Sequence, residues 1–497
     1  MKKFLLLLLA IIVVVLGGGY WLIFTKSGNG ILKPYIEKEL NKRLPVKATL
    51  TDFQIVPMHV TLKLGKSSII KAQGEFDPFA RSMNIHYIID VKNLADIEPI
   101  TGQKLRGSLY TIGDVAGNKE KLLVNGTAKV VGSATTYNLT LKDFEPKLLK
   151  ANVAHADLAK ILYMLYQPHI ADAKIDTKIV IDNFEKLHGK IDSTITQGKT
   201  DPKVLKEQFG LENVAITFKA MQHSNLANNR IKSKARVTTN VANIATNSAL
   251  FNIKTGTLEA PYTLYVPDLG KLYFLTHQKM RGKITITGKI KKDKNLYVAA
   301  HSKTLGGDVH IKLLNNKLTA NIAKIQTVAL THMLYYPKIF DSRVDAQLDY
   351  NILTQQGSLH AQAHDGHILP NKMSFLLSQM ANFDITREVY KLTTIDSTIN
   401  KKRILSDLDM ESRLTHISAK RALVDLDKKI VDAKLRIEIQ KRPVFVKIHG
   451  NIQNPKISLD AKELIKGRVK KELNKRLGDK VKSKIPAGAK GLLNNLF

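Results

Sequence analysis

From Val46 onward, apolar and polar residues alternate with a period of two. Val60-Thr-Leu-Lys-Leu64, Ile175-Asp-Thr-Lys-Ile-Val-Ile-Asp182 and Lys283-Ile-Thr-Ile-Thr287 all follow the rule. Val431-Asp-Ala-Lys-Leu-Arg-Ile-Glu-Ile-Gln440 keeps it for ten residues. Turn formers recur between such runs, among them Gly126, Asn138, Gly189, Gly198, Gly288, Gly357, Gly366 and Asn454-Pro455. The pattern predicts a long succession of short antiparallel strands with one apolar and one wet face, and few helices. Ile175, Ile179 and Ile181 then share one side of their strand, as do Ile284 and Ile286, and Val431, Leu435, Ile437 and Ile439. That face is either covered by another sheet, in a closed sandwich, or exposed as the lining of a groove.

The period changes at both ends. Lys2-Lys3 precedes Phe4–Phe24, an uncharged apolar run of 21 residues, matching the roughly 20 that a helix needs to cross a bilayer. A cleaved export signal would use Phe4–Leu16 and the small Gly17-Gly18-Gly19, but apolar character resumes at Tyr20-Trp21-Leu22-Ile23-Phe24 and no A-x-A site precedes it. The expectation is a retained anchor over residues 1–26, Lys2-Lys3 inside and the rest exported. Residues 27–45 follow as a short link, Ser27–Gly30, and an amphipathic helix from Ile31 to Leu44. Leu32, Ile36, Leu40 and Leu44 lie four apart, Pro34 falls in the first turn and Pro45 ends it. At the other end, residues 461–497 form a basic amphipathic helix: Ile465, Val469, Leu473, Leu477, Val481 and Ile485 are four apart, amid eleven Lys/Arg and three acidic residues. Such a helix suits a membrane surface, or caps the end of a sheet with its lysines in water.

The body, 46–460, repeats itself. Ile100-Thr-Gly-Gln-Lys-Leu-Arg-Gly107 recurs as Leu275-Thr-His-Gln-Lys-Met-Arg-Gly282, and Leu165-Tyr-Gln-Pro-His-Ile-Ala-Asp-Ala-Lys-Ile-Asp176 as Leu334-Tyr-Tyr-Pro-Lys-Ile-Phe-Asp-Ser-Arg-Val-Asp345. The order is the same, which predicts a tandem duplication over about 94–260 and 269–430. Each unit holds a Gln-Lys-x-Arg-Gly turn and a short helix before its second motif. In the first unit Asp157 is the expected N-cap of that helix, which carries Leu158, Ile161, Leu162 and Leu165. Lys38-Glu-Leu-Asn-Lys-Arg-Leu44 also reappears unchanged as 471–477.

Composition narrows the chemistry. Cysteine is absent, which excludes disulfides, thiolate metal sites and a Cys nucleophile. The 77 Lys and Arg against 43 acidic residues give a net charge of +34. An exported chain meets anionic head groups rather than nucleic acid, and sparse aromatics offer no base-stacking platform. No hydrolase elbow, zinc-protease, P-loop or dinucleotide motif occurs, so no enzyme and no cofactor is expected. His360, His364 and His367 could ligate zinc, but they align with Gly189–Gly198, where Asp192 and Thr196 replace His360 and His364. They read as the wet face of a repeated strand, and no metal site is assigned. Asp407, Asp409, Asp425 and Asp427 lack the glycine and terminal glutamate of a calcium loop.

The anchor, the helix ending at Leu44-Pro45-Val46, the Asp157-Leu-Ala-Lys-Ile-Leu segment and the C-terminal portion 375–460 together resemble the AsmA-like proteins. In that last portion, Leu423-Val-Asp-Leu-Asp427 and the Gly450, Pro455, Asp460 pattern carry the likeness. The resemblance implies a repeating β-groove, an elongated, curled antiparallel sheet of roughly 30 strands that is apolar inside. It implies an inner-membrane protein with its body in the periplasm, carrying phospholipid toward the outer membrane. Ile175, Ile179, Ile181, Ile284, Ile286, Leu435, Ile437 and Ile439 would line the groove. The chain is short for the family, so a periplasmic or outer-membrane partner at the far end is expected. The alternative is a non-transporting scaffold or outer-membrane assembly factor with a closed β core.

Overall fold

The computed structural model describes residues 25–459 apart from 78 and 213. The expected anchor up to Phe24 and the C-terminal helix carrying Ile465, Val469, Leu473, Leu477, Val481 and Ile485 lie outside the described residues. Among the described residues no helix is long and apolar enough to cross a membrane. The fold is mainly β, with 26 strands from β1 (Ala48–Gln54) to β26 (Lys456–Leu459) and few helices. That is fewer than the roughly 30 expected, because strands of up to 13 residues (β8, Glu145–Asp157, and β9, Ala171–Asn183) use more chain each. The chain divides into two compact units, one ending at Leu264 and the other beginning at Tyr265.

In the first unit, β1 to β13 (Asn243–Asn252) form a meander in which each strand pairs antiparallel with the next. Directly opposed residues point to one side of a sheet, so register defines its faces. One row runs Met58–Gly74–Ile85–Val115–Val124–Leu139–Leu149–Ile181–Gly189–Leu226–Ile231–Phe251 across twelve strands. All of it is apolar or glycine. Helix α1 (Lys26–Arg43) packs on its first strands, burying Ile36 and Leu40 in a core with Leu50, Ile55, Leu62, Val115 and Leu141. The helix begins five residues before the expected Ile31. Thr25 caps it, accepting from the Gly28 N–H at 3.0 Å, so the expected link is helical and Pro34 lies inside it.

The same helix protects the free edge of the sheet. Asn41 pairs with the backbone of Ala48 in both directions, Nδ2 to O at 2.7 Å and N to Oδ1 at 2.8 Å. Glu37 Oε2 accepts from the Leu50 N–H at 3.2 Å. Backbone groups that would otherwise recruit another strand are thereby occupied.

In the second unit, β15 (Ile284–Lys292) to β26 form another antiparallel meander. A row from Ser302 runs through Val309, Ile322, Ala346, Ala361, Ile395, Leu408, Ala419, Leu435 and Val446 to Leu459. The opposite face carries Lys312, Thr319, Asp349, Ser358 and Thr398 in one row. Helix Lys372–Ala381, opened by an Asn371/Ser374 capping box, contributes Leu377 to a core with Ile385, Tyr390, Ile417 and Ile437.

The two repeats reproduce each other's hydrogen bonds. Arg106 N–H donates to Met164 O, and Arg281 N–H to Met333 O; Leu94 donates to Gly107 O, and Leu269 to Gly282 O. His155 N–H meets Asp176 Oδ1 at 2.8 Å, and Lys324 N–H meets Asp345 Oδ1 at 3.0 Å, each pair displaced by 169 residues. The turn arginine stacks on the second motif in both: Arg106 lies 4.0 Å from the Tyr163 ring and 4.5 Å from Tyr166, and Arg281 lies 3.6 Å from Tyr335.

Candidate functional site

The apolar face is closed in some stretches and uncovered in others. In the first unit the row just traced is buried at Met58, Ile85, Val115 and Leu139, then half-buried at Leu149, Ile181 and Ile231. It ends at Phe251, which is 37% exposed. A parallel row, Ala156–Ile175–Ile195–Ala220–Val237–Ile244, changes in the same sense, from 3% exposure at Ala156 to 44% at Ile244. Burial here is uneven: Leu226 in the same row is 7% exposed, whereas Ile181 and Ile231 stay half-buried.

Ile175, Ile179 and Ile181 are half-buried on the apolar face. Ile284 and Ile286 occupy the corresponding side of β15, two and four residues before Gly288, and are also half-buried. Val298, Leu313, Leu318 and Tyr350 continue that surface across the next four strands, all half-buried. Leu435, Ile437 and Ile439 depart from expectation. At 7%, 0% and 5% exposure they belong to the core under helix Lys372–Ala381, and offer no surface to a ligand. Leu40 likewise fills a core.

Two pairs of hydroxyls on this face meet across strands. Thr177 meets Ser193 at 3.0 Å and Ser224 meets Ser233 at 2.7 Å, each with its direct register partner. Paired hydroxyls need no water, so they leave the surface compatible with a hydrocarbon.

The wet face holds the histidines. His360 Nδ1 lies 2.6 Å from Asp396 Oδ1, and His364 Nε2 lies 3.8 Å from Asp345; both are exposed, as is His367. Asp192, the repeat equivalent of His360, contacts His223 at 2.8 Å, so the pair recurs with its members exchanged. His416 lies 2.8 Å from Asp409, and that hydrogen bond holds its imidazole above the usual histidine range. The aspartates once compared with a calcium loop have separate partners. Asp407 accepts from Lys420 and from the Arg421 N–H, Asp427 from Lys402, and Asp425 is buried and accepts from the Lys428 N–H.

One further cluster escaped the sequence reading: His301, Asp308 and His310, whose ligand atoms lie within 4.8 Å of one another. Their spacing about the Leu305-Gly306 turn was the available signal, since Thr304 pairs with Gly307 and His301 with His310. No known family, curated protein or solved structure matches the chain.

Proposed function

We propose that this chain is an inner-membrane-anchored periplasmic protein. Its β sheet takes phospholipid acyl chains on the apolar face and carries lipid toward the outer membrane. The observation that carries the reading is the apolar face of β8–β13 and β15–β19 (Phe340–Asn351), where aliphatic rows stay half-buried at most positions. Burying such surface is favourable by about 25 cal/mol per Å², and contiguous exposed apolar surface marks an interaction site. Acyl chains match it chemically because the face is aliphatic, runs from strand to strand, and has hydroxyls such as Thr177–Ser193 and Ser224–Ser233 paired across it. Transport along such a face needs no catalytic group. Head groups would stay in water, where an excess of lysine and arginine meets phosphate.

The resemblance to AsmA-like proteins and the apolar run Phe4–Phe24 support the membrane and compartment part of this proposal. The alternative, a non-transporting scaffold or assembly factor with a closed core, is favoured by the packed regions around Leu50 and Ile437. It leaves the half-exposed rows without a role.

The test is phospholipid occupancy of the body purified without detergent, read by native mass spectrometry and by uptake of a fluorescent phospholipid. Ile179→Asp and Ile311→Asp should each lower occupancy at least severalfold while the fold, read by circular dichroism, persists. Wild-type protein with neither co-purified lipid nor uptake would sink the proposal. Removal of residues 1–24 should leave a folded, lipid-binding body that fails in cells; full function of that soluble form would refute the role of the anchor.

A further inference from the structure

On the wet face of the second unit, three side chains with metal-binding chemistry converge on one hairpin. β16 (Leu296–Thr304) and β17 (Gly307–Leu314) are joined by the two-residue turn Leu305-Gly306, which puts His301 directly opposite His310 and Lys303 opposite Asp308. Residues two apart on a strand share a face, so Asp308 and His310 stand side by side with His301 across from them. His301 Nε2 lies 3.0 Å from Asp308 Oδ1, and the two imidazole rings are stacked with centroids 4.2 Å apart and planes 18° apart. The ligand atoms of all three fall within 4.8 Å of one another.

We propose that His301, Asp308 and His310 form a three-ligand site for a divalent transition-metal cation of the zinc class. Two imidazoles and one carboxylate select zinc, nickel or copper over magnesium and calcium, which prefer oxygen donors. Ligand atoms around a tetrahedral zinc at about 2.0–2.1 Å are about 3.3 Å apart. The widest separation here must therefore close by about 1.5 Å, within reach of torsions of half-exposed side chains on a strand surface. Water would complete the coordination, since the wet face leaves the fourth position open. Asp308 supplies the negative charge of the ligand set, and His301 and His310 supply the imidazole nitrogens. Among the nearby positive charges, Lys303 is the register partner of Asp308 and Lys312 lies two residues beyond His310. Both sit on long, exposed stems that can turn away. Thr287 and Asn321, opposite His301 and His310, add no charge.

The hairpin lies in the part of the second unit whose apolar face no helix covers, so a bound ion would pin two strands there from the wet side. This inference does not depend on what the apolar face binds.

The experiment titrates Zn²⁺ into the full-length protein against a chromogenic chelator, and repeats it with Co²⁺, whose visible absorption reports coordination geometry. One equivalent of Zn²⁺ should bind, with a rise in melting temperature that follows its concentration. His310→Ala, His301→Ala and the near-isosteric Asp308→Asn should each weaken binding at least tenfold. His360→Ala/His364→Ala, which removes two equally exposed imidazoles, should leave binding unchanged. No stoichiometric zinc binding, or binding that His310→Ala and Asp308→Asn leave intact, would overturn the proposal and reduce the cluster to a stacked histidine pair beside a carboxylate.

Discussion

At the scale of single residues, the tightest constraint is a row of two glycines between two tyrosines. Tyr87, Gly113, Gly126 and Tyr137 are successive register partners on four neighbouring strands. The rings lie over the glycines from both sides until their hydroxyls meet at 2.5 Å, and Thr111 Oγ1 joins at 2.6 Å. Burial, and then the bond with Tyr137, raises the Tyr87 phenol far above the ordinary tyrosine range, so the bridge stays protonated. A methyl at Gly126 would lie 2.6 Å from both phenol oxygens, and at Gly113 it would lie 2.0 Å from the Asn125 carbonyl oxygen. Neither rotamer change nor small backbone shifts relieve both contacts. Gly126→Ala should therefore cost about 1–3 kcal/mol, read as a lower urea midpoint at unchanged slope. Tyr137→Phe, which keeps the ring and removes the shared hydroxyl, should cost about 1–3 kcal/mol by the same measurement. If Gly126→Ala proves neutral, the two phenols are not held over the glycine as described.

Among elements, the duplicated helices provide an internal control. Helix Leu158–Met164 is capped by Asp157, which accepts from Ala159 and Lys160 N–H and pairs with Lys174 at 2.9 Å. Its counterpart Thr327–Met333 follows Gln326, which has nearly the same backbone angles but makes no side-chain cap. Asp157→Ala should thus cost about 1 kcal/mol and Gln326→Ala close to nothing, whereas Gln326→Asp should gain about 1 kcal/mol. The bond to Lys174 lowers the Asp157 pKa. Its contribution is complete above the unfolded carboxyl value and disappears as pH falls through the folded one, so the cost of Asp157→Ala should shrink in acid. Much of this level was legible in the sequence. Alternation located β9, β15 and β24 (Ile430–Ile439), the motif repeats located both helices, and Asp157 announced its own cap. What escaped was context. Period two tells which residues share a face, but not whether a helix lies on that face. Ile181 and Ile437 read alike in sequence, and Leu377 buries only the second. The signal was present in Asn371-x-x-Ser374 with Met373 and Leu377 four apart, but strand alternation dominates on either side of it. His301 and His310 were missed because the turn that opposes them sits between two unremarkable runs.

For the molecule as a whole, the proposed function rests on two forces acting on different faces, of which salt screens only one. The net charge is +34, most described lysines and arginines are exposed, and ion pairs such as Lys420–Asp407 and Lys402–Asp427 are too exposed to offset much of it. On the proposed function, that charge would draw the protein to anionic membranes over a distance set by the Debye length, about 14 Å at 0.05 M salt and about 4 Å at 0.5 M. Acyl chains on the apolar face would be held by exclusion from water, which added sodium chloride does not screen. Association with vesicles of phosphatidylethanolamine and phosphatidylglycerol should therefore fall at least tenfold between those two salt concentrations, measured by co-sedimentation. The number of phospholipids retained per chain, measured on the same samples by native mass spectrometry after buffer exchange, should not change. Ile179→Asp should give the reverse, with vesicle association kept and retention lost. If salt removes retained lipid in parallel with vesicle binding, then lipid is held by charge on the wet face, and the half-exposed rows of Ile181 and Leu313 are not where it lies.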